Sequence, residues 1–184
     1  MNKLFLPLLL FIILIPNFCF PEETSSKKFS FYIGSGLSMP LSPDYMRDST
    51  KIGLEGTAHI GYSYFPNTEF MFSLDYHRLG AEIRGYDGGD WHILMIGPDA
   101  KLNLGLPDTK MYPYVFGGFG FAEVKRAERT FLNMTRPSVT VNKFYYQFGG
   151  GIIINMFYIE TKFLKIMTDD GALTMVPLTV GVHF

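Results

Sequence analysis

The sequence is built largely from short stretches in which apolar and polar residues alternate. Between Leu54 and Tyr64 the even-numbered residues are apolar or small, and the odd-numbered ones include Glu55 and His59. A period of two indicates a β-strand whose two faces meet different environments. No apolar run after residue 28 is long enough for a membrane-spanning helix, so the alternation predicts an all-β fold with one apolar and one polar face.

Eight stretches of this kind follow one another along the chain. They contain Phe29–Ile33, Leu54–Tyr64, Phe70–His77, Leu94–Leu104, Pro113–Phe121, Tyr146–Asn155, Ile159–Phe163 and Met175–Phe184. The fifth is aromatic on both parities, so its facing stays open. Pro98 and Pro177 fall inside strands and remove a backbone donor, which predicts bulges or shifted strand boundaries there.

The connections alternate in length, as they do in a transmembrane barrel with short periplasmic turns and long outer loops. Only the connection 168–171, predicted to be an outer one, is short. We therefore predict an eight-stranded antiparallel up-and-down transmembrane β-barrel, with its N-terminus on the periplasmic side. The predicted outer loops are 39–51, 80–90 and 123–142, and the predicted inner turns are 65–69, 105–111 and 155–157.

The charges decide which face of the barrel points inward. The apolar parity carries charges only near strand ends, at Arg78 and Lys165, where they can reach lipid headgroups. An eight-stranded barrel is too narrow to hold all the aromatic side chains inside, so the apolar face should meet lipid. The interior should then hold a polar network in which Lys101 pairs with Glu55 or with a neighbour of Asp99, and which leaves no conducting pore. Its predicted members are Glu55, His59, Asp75, His77, Asp99, Lys101, Gln147, Glu160 and Lys162.

The first residues read as an export signal. Lys3 precedes the apolar run Leu4–Ile15, which Pro16 ends and which is too short for a permanent anchor. We predict a signal peptide at 1–20, cleaved between 19 and 26, followed by a barrel domain at 29–184. Lipidation of the single cysteine, Cys19, is the less favoured alternative, because the bulky Phe18 precedes it.

No motif predicts a catalytic, cofactor or metal site. The glycines at 117, 118 and 120 lack the lysine and hydroxyl of a phosphate-binding loop, and no histidine spacing suits a metal. A net charge of −1 gives no reason to expect nucleic acid. The candidate catalytic pairs, His59 with Ser63 and His77 with Ser73 and Asp75, point inward on the predicted parity. An outer aromatic girdle is predicted at Tyr86, Trp91 and Tyr145.

The export signal, the eight alternating segments, the stretch Pro113–Phe121 and the terminal Val180–Phe184 together resemble the small outer-membrane β-barrel superfamily of the OmpA and OmpX type. The resemblance implies a bacterial outer-membrane location in a Gram-negative cell envelope, and a porin-like fold at the cell surface. It also implies a monomer that contacts lipid and lipopolysaccharide and has a structural or surface-interaction role through its loops. In that superfamily the last strand is read by the barrel-assembly machinery, and the matching residues are Leu178, Val180, Val182 and Phe184.

Two alternatives remain at this stage. A lipid-modifying barrel enzyme would need a histidine and hydroxyl pair on the lipid side. A soluble periplasmic ligand-binding barrel would need the apolar parity to line a cavity.

Overall fold

The computed structural model describes residues 29–44, 50–65, 67–81, 87–105, 111–131, 134–168 and 171–184. Most of these residues are in β-strands. The predicted signal peptide and its cleavage range lie outside these residues. Within the described ranges there are eleven strands, namely β1 Phe29–Ser42, β2 Gly53–Phe65, β3 Thr68–Leu79, β4 Asp87–Gly88, β5 Trp91–Asn103, β6 Met111–Arg126, β7 Arg129–Phe131, β8 Met134–Arg136, β9 Val139–Ile154, β10 Phe157–Thr168 and β11 Gly171–His183.

Eight of these strands close into a barrel in the order β1-β11-β10-β9-β6-β5-β3-β2, and all neighbours are antiparallel. The seam joins the first and last strands, where Phe31 and Phe184 exchange backbone hydrogen bonds of 3.2 and 3.0 Å. The predicted eight-stranded closed barrel is therefore confirmed. No helix among the described residues is long and apolar enough to span a membrane.

The alternation fixes which side chains enter the barrel. On β2 and β3, Glu55, His59, Asp75 and His77 are buried, whereas Ile60 and Phe72 are exposed. The facing of the fifth segment, which the sequence left open, is now defined: Tyr114 and Phe116 point inward and Val115 and Phe119 outward.

The bulges predicted at the two prolines are absent. Ile96 pairs with Phe121 and Asp99 with Gly118 in one continuous register, so pairing with β6 is interrupted at Gly97 and Pro98 without a shift. Around Pro177 the β10–β11 register also resumes unchanged, from Thr161↔Leu178 to Leu164↔Met175. The prolines therefore interrupt the hydrogen bonding between strands locally but do not add a bulge residue.

The predicted loop 123–142 is mostly strand, which corrects the sequence-based assignment. β6 and β9 remain paired out to Arg126↔Val139, and β7 and β8 lie between them in the chain. β4, β7 and β8 form a separate three-stranded sheet. The reason is that backbone pairing continues beyond the barrel as long as the register is kept, and charged side chains on an exposed hairpin do not oppose it. We call this end of the barrel the loop end, and the opposite end, where β2 is followed by β3 and β9 by β10, the turn end.

Candidate functional site

The centre of the barrel is crossed by Lys162. Its Nζ lies 2.8 Å from Asp75 Oδ2 and 3.0 Å from Glu55 Oε1, and all three side chains are buried. Lys162 is on β10 and Asp75 on β3, which stand opposite each other, with three strands between them on either side. This ion pair therefore spans the full width of the barrel.

A second ion pair lies nearer the turn end. Lys101 forms a salt bridge with Glu69, its direct cross-strand partner, and donates to Tyr32 Oη. Glu69 also accepts hydrogen bonds from Ser30 and, at 2.9 Å, from Tyr32. The ammonium group lies 4.3 Å from the centre of the Tyr32 ring and 5.2 Å from that of Tyr114. Lys101 is thus held by one carboxylate and two aromatic faces.

Hydroxyl, imidazole and amide groups connect the remaining buried acids. His59 lies 2.7 Å from Ser73 Oγ through Nδ1 and 2.7 Å from Thr57 Oγ1 through Nε2. Ser73 donates to Asp99, which also accepts from Gln147 Nε2 at 2.9 and 3.1 Å. Because His59, Ser73 and Asp99 occupy the successive strands β2, β3 and β5, the network runs around the barrel wall as well as across it.

Further contacts anchor the network in the other strands. Ser38 Oγ lies 2.7 Å from His77 Nδ1, Thr179 donates to Glu55 at 2.5 Å, and Tyr114 donates to Glu160 at 2.9 Å. The structure thus brings all nine predicted network residues together inside the barrel. Sequence reasoning missed several further members: Ser30, Tyr32, Ser38, Thr57, Glu69, Ser73, Tyr114 and Thr179.

Glu55, one of the two partners predicted for Lys101, is wrong. Lys101 pairs with Glu69, whereas Glu55 pairs with Lys162. Glu69 was placed in the turn 65–69, but β3 begins at Thr68, so Glu69 is the second residue of the strand and points inward. Its parity with Met71 and Ser73 could have revealed this.

Apolar and aromatic side chains pack in the lumen on both sides of the Lys162 ion pair. Along β10, Tyr158 precedes Glu160 and Lys162, and Leu164 and Ile166 follow them. The cluster toward the loop end contains Leu79, Ile93, Met95, Ala122, Val124, Tyr145, Leu164, Ile166, Leu173 and Met175, with Trp91 packed against it. The cluster toward the turn end contains Tyr32, Met71, Tyr114, Phe116, Ile153 and Tyr158. The Lys162 ion pair therefore lies between two packed layers, and the Lys101–Glu69 pair lies among the aromatic residues of the layer toward the turn end.

Inward-facing glycines make room for the two largest buried rings. A Cβ at Gly120 would lie 2.8 Å from Tyr145 Cε1, and one at Gly97 would lie 2.8 Å from its Oη. A Cβ at Gly181 would meet Tyr158 at 2.5 Å. Tyr145 was predicted in the outer girdle but is fully buried, because it shares the parity of Gln147. Trp91 also leaves the predicted girdle and packs on the inner cluster, and Tyr86 lies outside the described residues.

The outer wall is apolar on all eight barrel strands. Exposed members, one for each strand in chain order, are Phe31, Ile60, Phe72, Ile96, Phe121, Phe148, Ile159 and Val180. Arg78 stands at its edge with 59% of its side chain exposed and forms a salt bridge of 2.9 Å with Asp90. Hydrogen bonds from Arg78 and from the Ala81 backbone hold the pKa of Asp90 below its usual range.

The histidines do not form either predicted catalytic pair. His59 pairs with Ser73 instead of Ser63, and His77 pairs with Ser38, because cross-strand register and not sequence spacing selects the neighbours. Both are buried. His92 is on the outward parity and is hydrogen-bonded to the phenol of Tyr76 at 2.7 Å. Among the described residues, no group of His, Cys, Asp or Glu is arranged to hold a metal ion.

The residues of the predicted assembly signal line the outer face of the last strand. Leu178, Val180 and Phe184 are exposed, and Val182 is half-buried. Their inward neighbour Thr179 belongs to the polar network.

β6 and β9 extend beyond the end of their pairing with β10 at the loop end. We call this extension, residues 121–126 paired with residues 139–144, the β6–β9 arm. β5 covers the β6 side up to Trp91↔Arg126. On the other side, pairing between β9 and β10 ends at Tyr145↔Ile166, so residues 139–144 form an edge of the sheet.

Together these features define a closed eight-stranded barrel with an ionised, tightly packed interior and an apolar exterior. No family model matches the sequence, and no curated protein matches it. Solved structures do match. Ail, the attachment invasion locus protein of Yersinia pestis, has a TM-score of 0.63 at 17% identity, over 85% of this chain and 97% of that chain.

Two further barrels show the same likeness. Neisserial surface protein A has a TM-score of 0.57 at 14% identity, over 85% of this chain and 96% of its own. The N-terminal β-barrel domain of Pseudomonas aeruginosa OprF has a TM-score of 0.51 at 16% identity, over 84% and 97%. At these identities the likeness shows a shared fold, that of small outer-membrane barrels.

Proposed function

We propose that the protein is an integral β-barrel of the bacterial outer membrane, with a structural or surface-interaction role and no enzymatic activity. The observation that carries this is the reversed polarity of the barrel: apolar side chains cover its outside on every strand, and charged ones are sealed inside. In water such an exterior would aggregate, whereas a bilayer solvates it. Closure also leaves no backbone edge within the wall, which lipid requires.

In this proposal the turn end lies in the periplasm and the loop end lies outside the cell. The segments 39–51, 80–90 and 123–142, which include the strands β4, β7 and β8, then form the surface available for interaction. The third carries most of the positive charge, with Lys125, Arg126, Arg129 and Arg136. Ail has been crystallised in complex with the heparin analogue sucrose octasulfate, and anionic lipopolysaccharide is the corresponding partner that we propose for the basic residues here.

The packed lumen supports a protein that does not conduct. Apolar layers cover the ionised centre toward both ends, and buried charges are tolerable only when they are paired in this way. The same packing disfavours a soluble ligand-binding barrel, because the apolar parity faces outward and lines no internal cavity in the described residues.

A lipid-modifying enzyme is likewise disfavoured. It would need a nucleophile with a base on the outer wall, whereas the buried His59–Ser73 pair cannot reach lipid. On the outer wall, His92 is paired with a phenol, Tyr76, and not with a serine or cysteine nucleophile.

Export and assembly complete the proposal. Residues 1–20 act as a signal peptide, cleaved between 19 and 26, and the barrel begins at 29. The barrel-assembly machinery reads Leu178, Val180, Val182 and Phe184, whose outward placement on the last strand supports such a contact. The mature protein is a monomer.

Fractionation with a gel-shift assay tests the location and the fold together. Expressed with its own N-terminus in a Gram-negative host, the protein should stay in the membrane after carbonate washing and run differently on gels before and after boiling. A product that is freely soluble in the periplasm would contradict the proposal. A Phe184→Ala variant should accumulate less in the membrane, and Phe157→Ala, also exposed at the turn end, is the matched control.

A further inference from the structure

The polar network contains a continuous chain of five buried groups on β2, β3 and β5. Asp75 accepts a hydrogen bond from Thr57, whose hydroxyl also lies 2.7 Å from His59 Nε2. On the other side of the imidazole, Nδ1 lies 2.7 Å from the hydroxyl of Ser73, which donates to Asp99. Each of the five residues is at most 5% exposed. Because they are buried, we expect all four of these hydrogen bonds to be made.

The chain needs one hydrogen more than its groups ordinarily supply. Four hydrogen bonds join the five groups, and each requires one hydrogen between its two atoms. The hydroxyls of Thr57 and Ser73 and a neutral imidazole supply three hydrogens, and ionised Asp75 and Asp99 supply none. The fourth must be an additional proton. When both hydroxyls donate to carboxylates, this proton makes His59 an imidazolium; when it is on Asp99, the bonds between Asp99 and His59 reverse and the count is unchanged.

The charge of the lumen favours such a proton. Among the described residues, the buried acids outnumber the buried lysines by five to two: Glu55, Glu69, Asp75, Asp99 and Glu160 against Lys101 and Lys162. Both lysines form ion pairs with acids other than Asp99. The hydrogen bonds that Asp99 accepts come from two neutral groups, Ser73 and Gln147. Without the additional proton, Asp99 would be a buried carboxylate beside no cation of the described residues, which is unfavourable.

The surroundings of the chain are negative overall. The titratable groups that face it are Tyr32 from β1, Glu55 from β2, Glu69 and His77 from β3, Lys101 from β5, Tyr145 from β9, and Glu160 and Lys162 from β10. The strongest opposing charge is the ammonium of Lys162, which is shared between Glu55 and Asp75. One ammonium against the three carboxylates Glu55, Asp75 and Asp99 leaves two negative charges, so one further proton is attracted.

We infer that the chain from Asp75 to Asp99 is a proton-binding site, and that the folded barrel holds one proton there at neutral and mildly alkaline pH. The inference goes beyond the proposed surface role, because the site lies in the lumen and its ligand is a proton. In the unfolded protein the same groups are hydrated, and above about pH 7.5 they hold no such proton. The folded state then binds one proton more than the unfolded state. Its stability therefore falls as the pH rises, by about tenfold in the unfolding equilibrium constant per pH unit.

Asp99→Asn tests the count, because the amide supplies the fourth hydrogen without an additional proton. The asparagine amide can donate to Ser73, and Ser73 can then donate to His59 Nδ1. His59 Nε2–H donates to Thr57, which continues to donate to Asp75. All four hydrogen bonds are thereby completed with a neutral imidazole. We expect this variant to lose the pH dependence of one proton and to be at least as stable as the wild type at about pH 9.

The assay is urea unfolding of the barrel in lipid vesicles between about pH 7.5 and 9. Over this range the wild-type midpoint should fall by about 0.7 M per pH unit more than that of Asp99→Asn. His92→Gln is the matched control, since it removes a histidine that faces outward and is bonded to Tyr76, and it should keep the wild-type slope.

Proton uptake on folding gives an independent readout that a merely structural role of Asp99 would not change. The unfolded protein is diluted from urea into vesicles at about pH 8.5 in a weak buffer that contains a pH-indicator dye. The wild type should take up about one proton per chain more than Asp99→Asn.

Equal pH slopes or equal proton uptake for the wild type and Asp99→Asn would overturn the inference. Loss of the slope in His92→Gln would also overturn it, because the dependence would then belong to another site. If Asp99→Asn does not fold, the wild type alone decides: a midpoint that is constant between about pH 7.5 and 9, or folding without proton uptake, would contradict the proton site. A barrel that inserts without this pH dependence refutes only the proton site and leaves the proposed function intact.

Discussion

Replacing Lys162 by methionine tests whether the stability of the barrel depends on the ion pairs at its centre. The substitution keeps the length of the side chain but leaves Asp75 and Glu55, now 2.8 and 3.0 Å from Nζ, without their shared cation. Removing one partner of a buried pair costs about 3–5 kcal/mol, because the remaining charge is uncompensated. With a urea slope of about 2 kcal/mol/M, the unfolding midpoint should fall by roughly 2 M.

The assay is urea unfolding of the barrel refolded into lipid vesicles, followed by tryptophan fluorescence and by the boiling-dependent gel shift. Lys165→Met is the matched control. It lies on the same strand but on the outward parity, half-buried, so its midpoint should move by less than about 0.5 M.

A triple variant separates charge from packing. Adding Glu55→Gln and Asp75→Asn to Lys162→Met removes the uncompensated charges, and most of the lost stability should return. If Lys162→Met unfolds at the same urea concentration as Lys165→Met, or if the triple variant is less stable than the single one, the reasoning is refuted.

Three further predictions concern other parts of the barrel. Lys101→Ala should lower the free energy of unfolding by about 3–5 kcal/mol in the same assay, and an unchanged midpoint would reject its pairing. Gly120→Val should destabilise by about 1–3 kcal/mol or more, because a Cβ there would lie 2.2 Å from the Ile96 carbonyl oxygen and 2.8 Å from Tyr145 Cε1; normal stability would mean that both the neighbouring strand and the ring shift without cost. Asp90→Asn should lower the midpoint slightly at neutral pH. Because the pKa of Asp90 is lowered in the folded state, its pair with Arg78 stabilises the folded barrel at pH values above the ordinary pKa of an aspartate. The difference in midpoint between the variant and the wild type should therefore disappear as the pH falls through the folded-state pKa. A difference that persists at low pH would contradict this explanation.

The alternation was sufficient to assign the facing of most strands. For β2, β3 and β5 the parity of Glu55, Asp75 and Asp99 gave the inward side directly, because one face of a strand must differ from the other when the two environments differ. Where both parities were aromatic, as in Pro113–Phe121, the pattern carried no such information, and only pairing with Gln147 and Lys101 in the closed sheet resolved it.

The pairs inside the barrel were less predictable. Contacts between direct cross-strand partners, such as Glu69 with Lys101, follow from register, which a single sequence does not specify to one residue. Contacts across the lumen, such as Lys162 with Asp75, depend in addition on the strand number and tilt. The arm was missed for a different reason. Charged residues such as Lys125 and Arg126 are typical of loops, although here their backbone is paired with that of β9.

The ion pair between opposite walls also limits how this architecture can change. A barrel's diameter grows with each strand added, so duplicating one hairpin would carry β10 away from β3 and beyond the reach of a lysine side chain. The side chain of Lys162 is thus long enough to reach the opposite wall of an eight-stranded barrel, but not of a wider one. A related barrel with more strands would therefore lose the ion pair between Lys162 and Asp75. Its buried carboxylates would then have to be hydrated, paired with other cations or replaced by neutral residues.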